Sequence, residues 1–295
     1  MSADAVLYDH PGPRAKVRNN ILTVVFGVAL LGLLYWIYSR FDVKGQWAAE
    51  LWKPYTQGST WTDYIVPGLR GTLAAAAVAM VLSLVFGLVF SVGRLSDHWW
   101  LRIPAGVVVE FFRAVPLLLL MFFIFFGVPF LVQQPMSPFW AVVIALTLYN
   151  GSVLAEAFRA GIRSVPRGQS EAGYAIGMRK GQVLGSILIP QAARAMLPVI
   201  VSQLVVLVKD TALGYIIAYP ELLQLGVANL QANFGNAIQA AIVAAIIFII
   251  VNASLTAVAG WFERRTRRGG KAPRVTGGTI PVGTVPTGEM PGGTV

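Results

Sequence analysis

Long apolar runs alternate with short polar segments along most of the chain. Six runs are about twenty residues or longer, enough to cross the hydrocarbon core of a bilayer as helices. A signal peptide is the alternative interpretation of the first run, but the run is longer than a usual signal core and carries bulky aromatic residues where cleavage would occur. We therefore predict a membrane anchor there. The six predicted spans are about 20–39, 68–92, 104–132, 138–159, 183–208 and 237–261.

The segments between these runs differ in composition. Residues 1–19 form a polar, basic arm, and residues 40–67 form an aromatic-rich connector suited to the outer membrane–water interface. Residues 212–236 are too interrupted by glycine and proline for a clean span, so we predict a short membrane-level helix and an outer loop. Residues 266–295 are predicted to be a disordered cytoplasmic tail, because from Gly269 onward the chain is mostly Gly, Pro, Thr and Val.

The composition indicates an integral membrane protein. The chain is 56% hydrophobic and only 12% charged, against about 25% charged residues in soluble domains. A net charge of +10 would suit a nucleic-acid partner, but the basic residues are scattered between apolar runs rather than clustered on one face. There is no cysteine and there are only two histidines, so we expect no disulfide, thiolate site or histidine metal cluster.

The basic residues also predict the orientation of the chain. Seventeen of the 23 lysines and arginines fall in the N-terminal arm, in two connecting segments and in the tail, all of which lie on one side of a six-span topology. Basic residues are enriched on the cytoplasmic side of membrane proteins. We therefore predict a multi-pass protein of the plasma membrane with both termini in the cytoplasm.

One polar segment between the fourth and fifth runs has a regular motif. Glu171-Ala172-Gly173 is followed by Gly177, and nine further residues lead to Ile187-Leu188-Ile189-Pro190. This spacing resembles the EAA loop of ABC importer permeases, whose pattern is Glu-Ala-Ala, three residues, Gly, nine residues and Ile-x-Leu-Pro. The resemblance implies short cytoplasmic helices within residues 164–190 that dock into an ATPase subunit, and an ordinary basic loop is the alternative. The residues assigned to this contact are Glu171, Ala172, Gly173, Gly177, Ile187 and Pro190.

A wider resemblance covers about residues 68–265, the expected permease core. It is to the polar amino-acid permeases of ABC uptake systems, and it implies an all-α membrane fold of about six transmembrane helices, like that of type I ABC importer permeases. The extra first helix and Val6-Leu7-Tyr8-Asp9 further resemble glutamate permease subunits of Gram-positive systems. Ala212 departs from the serine that is usual there, which leaves the substrate detail open. The matching stretches are Gly68-Leu69-Arg70-Gly71-Thr72-Leu73, Glu110 to Leu117, and Lys209-Asp210-Thr211.

The resemblance also implies partners. They are ABC ATPase subunits that bind ATP and magnesium, a second permease subunit that is a homologous chain or a second copy, and an external substrate-binding protein. This chain has no Gly-x-x-x-x-Gly-Lys-Ser/Thr motif, so we expect it to bind no nucleotide or other cofactor and to perform no catalysis. The expected substrate is a polar amino acid, with glutamate favoured and a basic or glutamine-type amino acid as the alternative.

Charged residues within the predicted spans are costly in lipid, so each needs a partner or a function. Glu110 and Arg113 are three residues apart, as are Glu156 and Arg159, so each pair can neutralise itself across a helical turn. Alternatively, a kink at Pro116 turns Arg113 toward the bundle interior, where its guanidinium can grip a carboxylate with two hydrogen bonds.

Lys209-Asp210-Thr211 adds an ammonium, a carboxylate and a hydroxyl at the predicted start of a short broken helix, whose free amides would favour an anion. Together with Arg113 this predicts a site for a zwitterion, with Asp210 or Glu156 near the α-ammonium and spare positive charge for an acidic amino acid. A purely gating role for Lys209 and Asp210 is the alternative. The predicted substrate-path residues are Arg113, Glu110, Glu156, Lys209, Asp210 and Thr211.

Two other classes of function use the same residues differently. A self-sufficient channel or facilitator would use the intramembrane charges as an ion path, but it would leave the motif loop unexplained. A membrane-embedded enzyme would need a catalytic cluster, and the sequence offers no cysteine and no histidine within a span. The transport subunit is therefore favoured.

Overall fold

The computed structural model describes residues 12–268, and the predicted arm before residue 12 and tail after residue 268 lie outside that range. Five helices are long and apolar enough to cross a membrane, and a sharply bent pair would make a sixth span. This confirms the predicted all-α fold of about six spans. The helices are α1 Pro13–Val43, α2 Gly58–Arg94, α3 Trp99–Ala114, α4 Leu117–Val132, α5 Pro138–Arg163, α6 Arg167–Ala175, α7 Ile189–Asp210, α8 Leu230–Phe234 and α9 Ala237–Arg268.

The core forms where α2 packs against α5. A Cβ atom on Gly87 would lie 2.9 Å from Leu154 Cβ and 3.2 Å from the backbone nitrogen of Ala155. Small residues let two membrane helices approach this closely. Met121 and Leu207 are fully buried beside this pair, so α4 and α7 complete the core. In contrast, α1 contains the predicted anchor at 20–39 and has no buried residue.

The third predicted span is divided into two helices. The kink expected at Pro116 is a turn of 101° between α3 and α4. Val115 and Pro116 both have extended backbone, with ψ of 128° and 129°. Proline disfavours a helical conformation in the residue before it and lacks an N–H group of its own. The chain therefore leaves the helix at Ala114 and starts a new one at Leu117.

The α7–α9 connection, residues 211–236, contains three short helices, Thr211–Ile217, Gln224–Asn229 and Leu230–Phe234, where one short helix and an outer loop were predicted, and its start also differs from the prediction. After α7 the chain runs directly into a 3-10 helix, Thr211–Ile217, and the N–H of Thr211 bonds to the carbonyl of Leu207. The break comes later, at Ala218, where φ is +56°. The prediction of free helix N-terminal amides at residues 209–211 is wrong, because those amides belong to a continuous helix.

Candidate functional site

Five charged side chains from three helices form a charge cluster near the ends of α2 and α5. Glu156 lies at its centre, with one carboxylate oxygen 2.9 Å from Arg94 and 3.9 Å from Arg113. Arg159 pairs with the same carboxylate, and its Nε donates a hydrogen bond of 3.1 Å. Glu110 lies 3.1 Å from Arg94. Three guanidinium groups thus face two carboxylates, and the cluster carries one excess positive charge.

The cluster agrees with one of the two predicted helical pairs. The pair of Glu156 and Arg159 is confirmed. The pair of Glu110 and Arg113 is wrong, because Glu110 bonds to Arg94 and Arg113 leans toward Glu156. Sequence spacing reveals partners on the same helix only, and Arg94, at the end of another helix, was therefore missed.

Arg113 is the least constrained cation of the cluster. Its side chain is 43% exposed, compared with 13% for Arg94 and 21% for Arg159. Its distance of 3.9 Å from Glu156 is also too long for a hydrogen bond. Its planar guanidinium therefore keeps donors available for a further carboxylate.

The predicted groups at the end of α7 have separate surroundings. Lys209 is exposed and has no salt bridge to another described residue, while Asp210 is half-buried beside the Asn150 side chain. The Gln203 side chain donates a hydrogen bond from Nε2 to the side-chain amide oxygen Oδ1 of Asn150. Thr211 is buried, and its hydroxyl donates to the Val208 carbonyl at 2.8 Å, which occupies the donor predicted for a ligand.

The Arg113 guanidinium and the Asp210 carboxylate both lie next to α5, at different positions along it. Arg113 approaches α5 at Glu156, and Asp210 approaches it at Asn150. Those positions are six residues apart on α5, a rise of about 9 Å. Such a separation indicates two separate polar positions rather than one compact site.

The motif loop, residues 164–190, contains α6 and a tight turn. Gly177 has φ of +82°, a conformation that glycine adopts without strain. The N–H of Gly177 bonds to the Tyr174 carbonyl at 2.9 Å, and the N–H of Met178 bonds to the Gly173 carbonyl at 3.1 Å. This pair of bonds is a Schellman motif, which terminates α6.

Within this loop, Gly173 faces inward. A Cβ atom there would lie 2.9 Å from Val183 Cγ2 and 3.0 Å from Ile187 Cδ1. Glu171 and Ala172 are exposed, and Glu171 lies on the helix face opposite Gly173. Gly173 and Ile187 therefore hold the loop together, and the surface open to a partner is formed by Glu171 and its exposed neighbours. Pro190, also exposed, lies where the π-helix Val183–Leu188 runs into α7, so its missing N–H falls at an irregular turn of a continuous helix.

Lys180 connects the motif loop to the end of α2. Its ammonium pairs with the Asp97 carboxylate and donates a hydrogen bond of 3.2 Å to the Leu95 carbonyl. The hydrogen bond and charge of Lys180 lower the pKa of the Asp97 carboxyl below its ordinary value. Because Leu95 follows Arg94 directly, this contact leads from the loop to the charge cluster.

A second carboxylate, Glu221, was missed as a structural centre. It is fully buried, and its two oxygens accept hydrogen bonds from the N–H groups of Leu223 and Gln224, at 2.8 and 2.7 Å. Burial raises the pKa of Glu221 to about 7. The only available signal was its position after Pro220, at a break in the helix pattern. As for metals, among the side chains that the structure describes, no group of three or more His, Cys, Asp or Glu could hold an ion.

The comparisons with known proteins agree with this architecture. The family described as binding-protein-dependent transport system inner membrane component matches residues 83–268. The glutamate transport system permease protein GluD of Corynebacterium glutamicum is 46% identical over 228 residues, covering 77% of this chain and 83% of that protein. The probable glutamine ABC transporter permease protein GlnP of Bacillus subtilis is 36% identical and covers 68% of this chain and 93% of its own length.

Solved structures add the fold. A crystal structure of an amino acid ABC transporter with histidines is 26% identical, has a TM-score of 0.65, and covers 70% of this chain and 95% of its own. An inward-facing MetNI methionine ABC transporter, at 18% identity and a TM-score of 0.60, shares the fold. These findings confirm the resemblance to type I ABC importer permeases. The chain therefore belongs to the family of binding-protein-dependent transport system inner membrane components, as a permease subunit of the polar amino-acid ABC type.

Proposed function

We propose that this chain carries glutamate across the plasma membrane as one permease subunit of an ATP-driven importer. The assignment of glutamate as the substrate rests on the 46% identity of this chain to a glutamate transport permease, 83% of which the match covers. The excess positive charge of the cluster is consistent with an anionic substrate. An external binding protein would deliver the amino acid, and a second permease subunit, either a homologous chain or a second copy, would complete the path.

Arg113 is the residue we assign to the substrate carboxylate. Its guanidinium is already oriented by Glu156 but is not saturated by it, since the gap between them is 3.9 Å. A carboxylate that accepts two parallel hydrogen bonds would complete its coordination. Asp210 is half-buried beside Asn150, a residue about 9 Å from Glu156 along α5. We assign it to the α-ammonium of the substrate. Lys209, exposed beside it, would guide anions toward the path or gate it.

The motif loop is the part we assign to the ATPase subunit, where ATP and magnesium would bind. Glu171, Ala172 and the residues around them would dock on the ATPase, while Gly173, Gly177, Ile187 and Pro190 give the loop its shape. Lys180 would pass the movement of α6 to Leu95 and from there to Arg94. This arrangement requires the loop, and with it both termini, to lie in the cytoplasm, as the distribution of basic residues predicts.

Uptake by the assembled transporter tests the substrate. The permease, its ATPase and its binding protein are reconstituted in vesicles, and uptake of labelled glutamate is measured with an excess of unlabelled amino acids. We expect glutamate and aspartate to compete best. Stronger competition by arginine or glutamine would refute the acidic substrate and favour the basic or glutamine-type alternative.

A pair of glycine substitutions tests the coupling role. Gly173→Val forces the loop open against Val183 and Ile187, whereas Gly185→Val, in the same loop but outside α6, has nothing within 4 Å of the added Cβ. Overpacking of this kind costs about 1–3 kcal/mol. We expect Gly173→Val to lose co-purifying ATPase or ATP-driven uptake while still inserting in the membrane, and Gly185→Val to keep both. Normal coupling in Gly173→Val would show that the loop is only a connector.

A further inference from the structure

A half-open cleft of about 270 Å³ lies between α6 and the ends of the membrane-spanning helices. Three basic side chains line it, those of Arg163, Arg167 and Lys180, and no acidic side chain does. Lys180 is already paired with Asp97. The cleft therefore offers two guanidinium groups to whatever enters it.

These two arginines differ from those of the charge cluster only one turn away. Arg159 is paired with Glu156, whereas Arg163, four residues further along α5, has no carboxylate partner among the described residues, and neither has Arg167. The arginines of the charge cluster thus have carboxylate partners, whereas Arg163 and Arg167 have none among the described residues. Both side chains are exposed, so they are available to pair with an anionic group of another molecule.

The floor of the cleft is apolar. Leu95 follows the last residue of α2, Ile162 lies in the last turn of α5, and Leu188 leads into α7. A free phosphate ion would gain nothing from these side chains. An amphiphile would use both surfaces, with its anionic group at the arginines and its hydrocarbon on the floor.

We propose that this cleft binds an anionic phospholipid of the leaflet next to the motif loop, with the phosphate between Arg163 and Arg167. Basic pockets between membrane helices at the cytoplasmic side bind anionic headgroups in this way, and the surface of that leaflet is itself anionic. The lipid would fill the space between α6 and the helix ends, and so hold the loop against the membrane. This site is separate from the amino-acid path and does not depend on which amino acid is transported.

The ATPase subunit is the competing occupant, since the family places an ATPase beside this loop. The helix geometry favours the lipid. Tyr174 of α6 lines the cleft, while Ala172, two residues earlier, lies on the opposite, open face of the same helix, which a docking protein would meet first. The side of the cleft away from that face is lined by Ile162 and Leu188, at the ends of α5 and α7.

Lipid binding to the purified full chain, alone and with its ATPase, tests the proposal. The delipidated protein is titrated with phosphatidylglycerol, with phosphatidylcholine of the same acyl chains, and with inorganic phosphate, and bound species are counted by native mass spectrometry. We expect phosphatidylglycerol to bind in preference to phosphatidylcholine. Removing one basic residue near a membrane surface weakens such binding by about 1 kcal/mol, which is about fivefold. Arg163→Gln and Arg167→Gln should each show this loss, and the double variant should show both.

Three controls decide the interpretation. Lysine at both positions keeps the charge, so Arg163→Lys with Arg167→Lys should retain the preference, which a misfolded loop would not. Arg102→Gln removes an exposed basic residue that does not line the cleft and should change nothing. An equal loss in Arg102→Gln, displacement of the lipid by inorganic phosphate, or loss of the lipid when the ATPase binds would each overturn the proposal.

Discussion

Two carboxylates, the half-buried Glu156 and the buried Glu221, show two ways in which this membrane protein accommodates negative charge. Glu156 lies among three arginines from α2, α3 and α5, and its side chain remains 28% exposed. Glu221 is fully buried, accepts two backbone hydrogen bonds, and has no salt bridge to a described residue. Glu156 pairs with arginines from distant parts of the chain, whereas Glu221 binds backbone N–H groups two and three residues further along the chain.

The difference separates the two regions by what they can do. A carboxylate surrounded by guanidinium groups stays ionised and can exchange partners, because a neighbouring cation can move to a new anion. A carboxylate that holds only backbone N–H groups fixes the chain locally. Around Glu221 the α7–α9 connection is also locked to the start of α2, where Thr72 Oγ1 accepts a hydrogen bond of 3.1 Å from the N–H of Leu222. We infer that the charge cluster is the working region and that the connection is a support.

The largest effect on stability is expected from Glu156→Gln. It leaves three guanidinium groups close together without their central counter-charge, and because the Glu156 side chain is 28% exposed, the cost is smaller than that of breaking a fully buried ion pair from one side, about 3 kcal/mol. The melting temperature of the purified permease should fall by several degrees. The matched control is Glu110→Gln, whose side chain is 71% exposed, so that its pair contributes at most about 1 kcal/mol. Equal losses in the two variants would contradict the central role of Glu156.

The next effect concerns pH and Glu221. Its folded-state pKa of about 7 lies above the ordinary 4.5, so the folded protein holds a proton that the unfolded chain has released. Stability is then greatest below the ordinary pKa and falls as pH rises through the folded-state value, by about 2 kcal/mol between roughly pH 5 and 8. Melting curves of the parent minus those of Glu221→Gln should show this slope. A flat difference would mean that the backbone N–H groups keep Glu221 ionised throughout.

A smaller effect is expected from Tyr219→Phe in the same connection. The Tyr219 hydroxyl donates a hydrogen bond of 2.8 Å to the Gly71 carbonyl, and a typical hydrogen bond contributes about 1 kcal/mol. Thermal stability should decrease slightly, with glutamate uptake unchanged if this region is only a support. A strong loss of uptake at normal stability would instead place the connection in the transport cycle.

The sequence predicted the all-α fold of about six spans and the contact of Glu156 with Arg159, because each depends on local spacing. Apolar length predicts a membrane helix, and a separation of three residues predicts the contact of Glu156 with Arg159. Contacts across the fold were not predictable in this way. Arg94 reaches Glu110 from another helix, and Glu221 is buried by a connection whose course depends on packing against α2. Gly173 was assigned to the surface that contacts the ATPase, but it faces Val183 and Ile187 inside the loop. The motif alone does not show which face of α6 turns inward.

The central claim is that Arg113 leaves Glu156 to bind the carboxylate of the transported amino acid. Labelled glutamate uptake by the reconstituted transporter, measured as a function of glutamate concentration for the parent, Arg113→Lys and Arg113→Gln, tests it most directly. A charged hydrogen bond contributes about 1.5–3 kcal/mol, so Arg113→Gln should lower uptake at limiting glutamate by about tenfold or more. Arg113→Lys should fall between the two, because it keeps the charge without the two-pronged geometry. Membrane insertion and melting temperature should stay near those of the parent, since this side chain is 43% exposed. Unchanged uptake in Arg113→Gln would contradict the account and leave Arg113 as a structural member of the cluster.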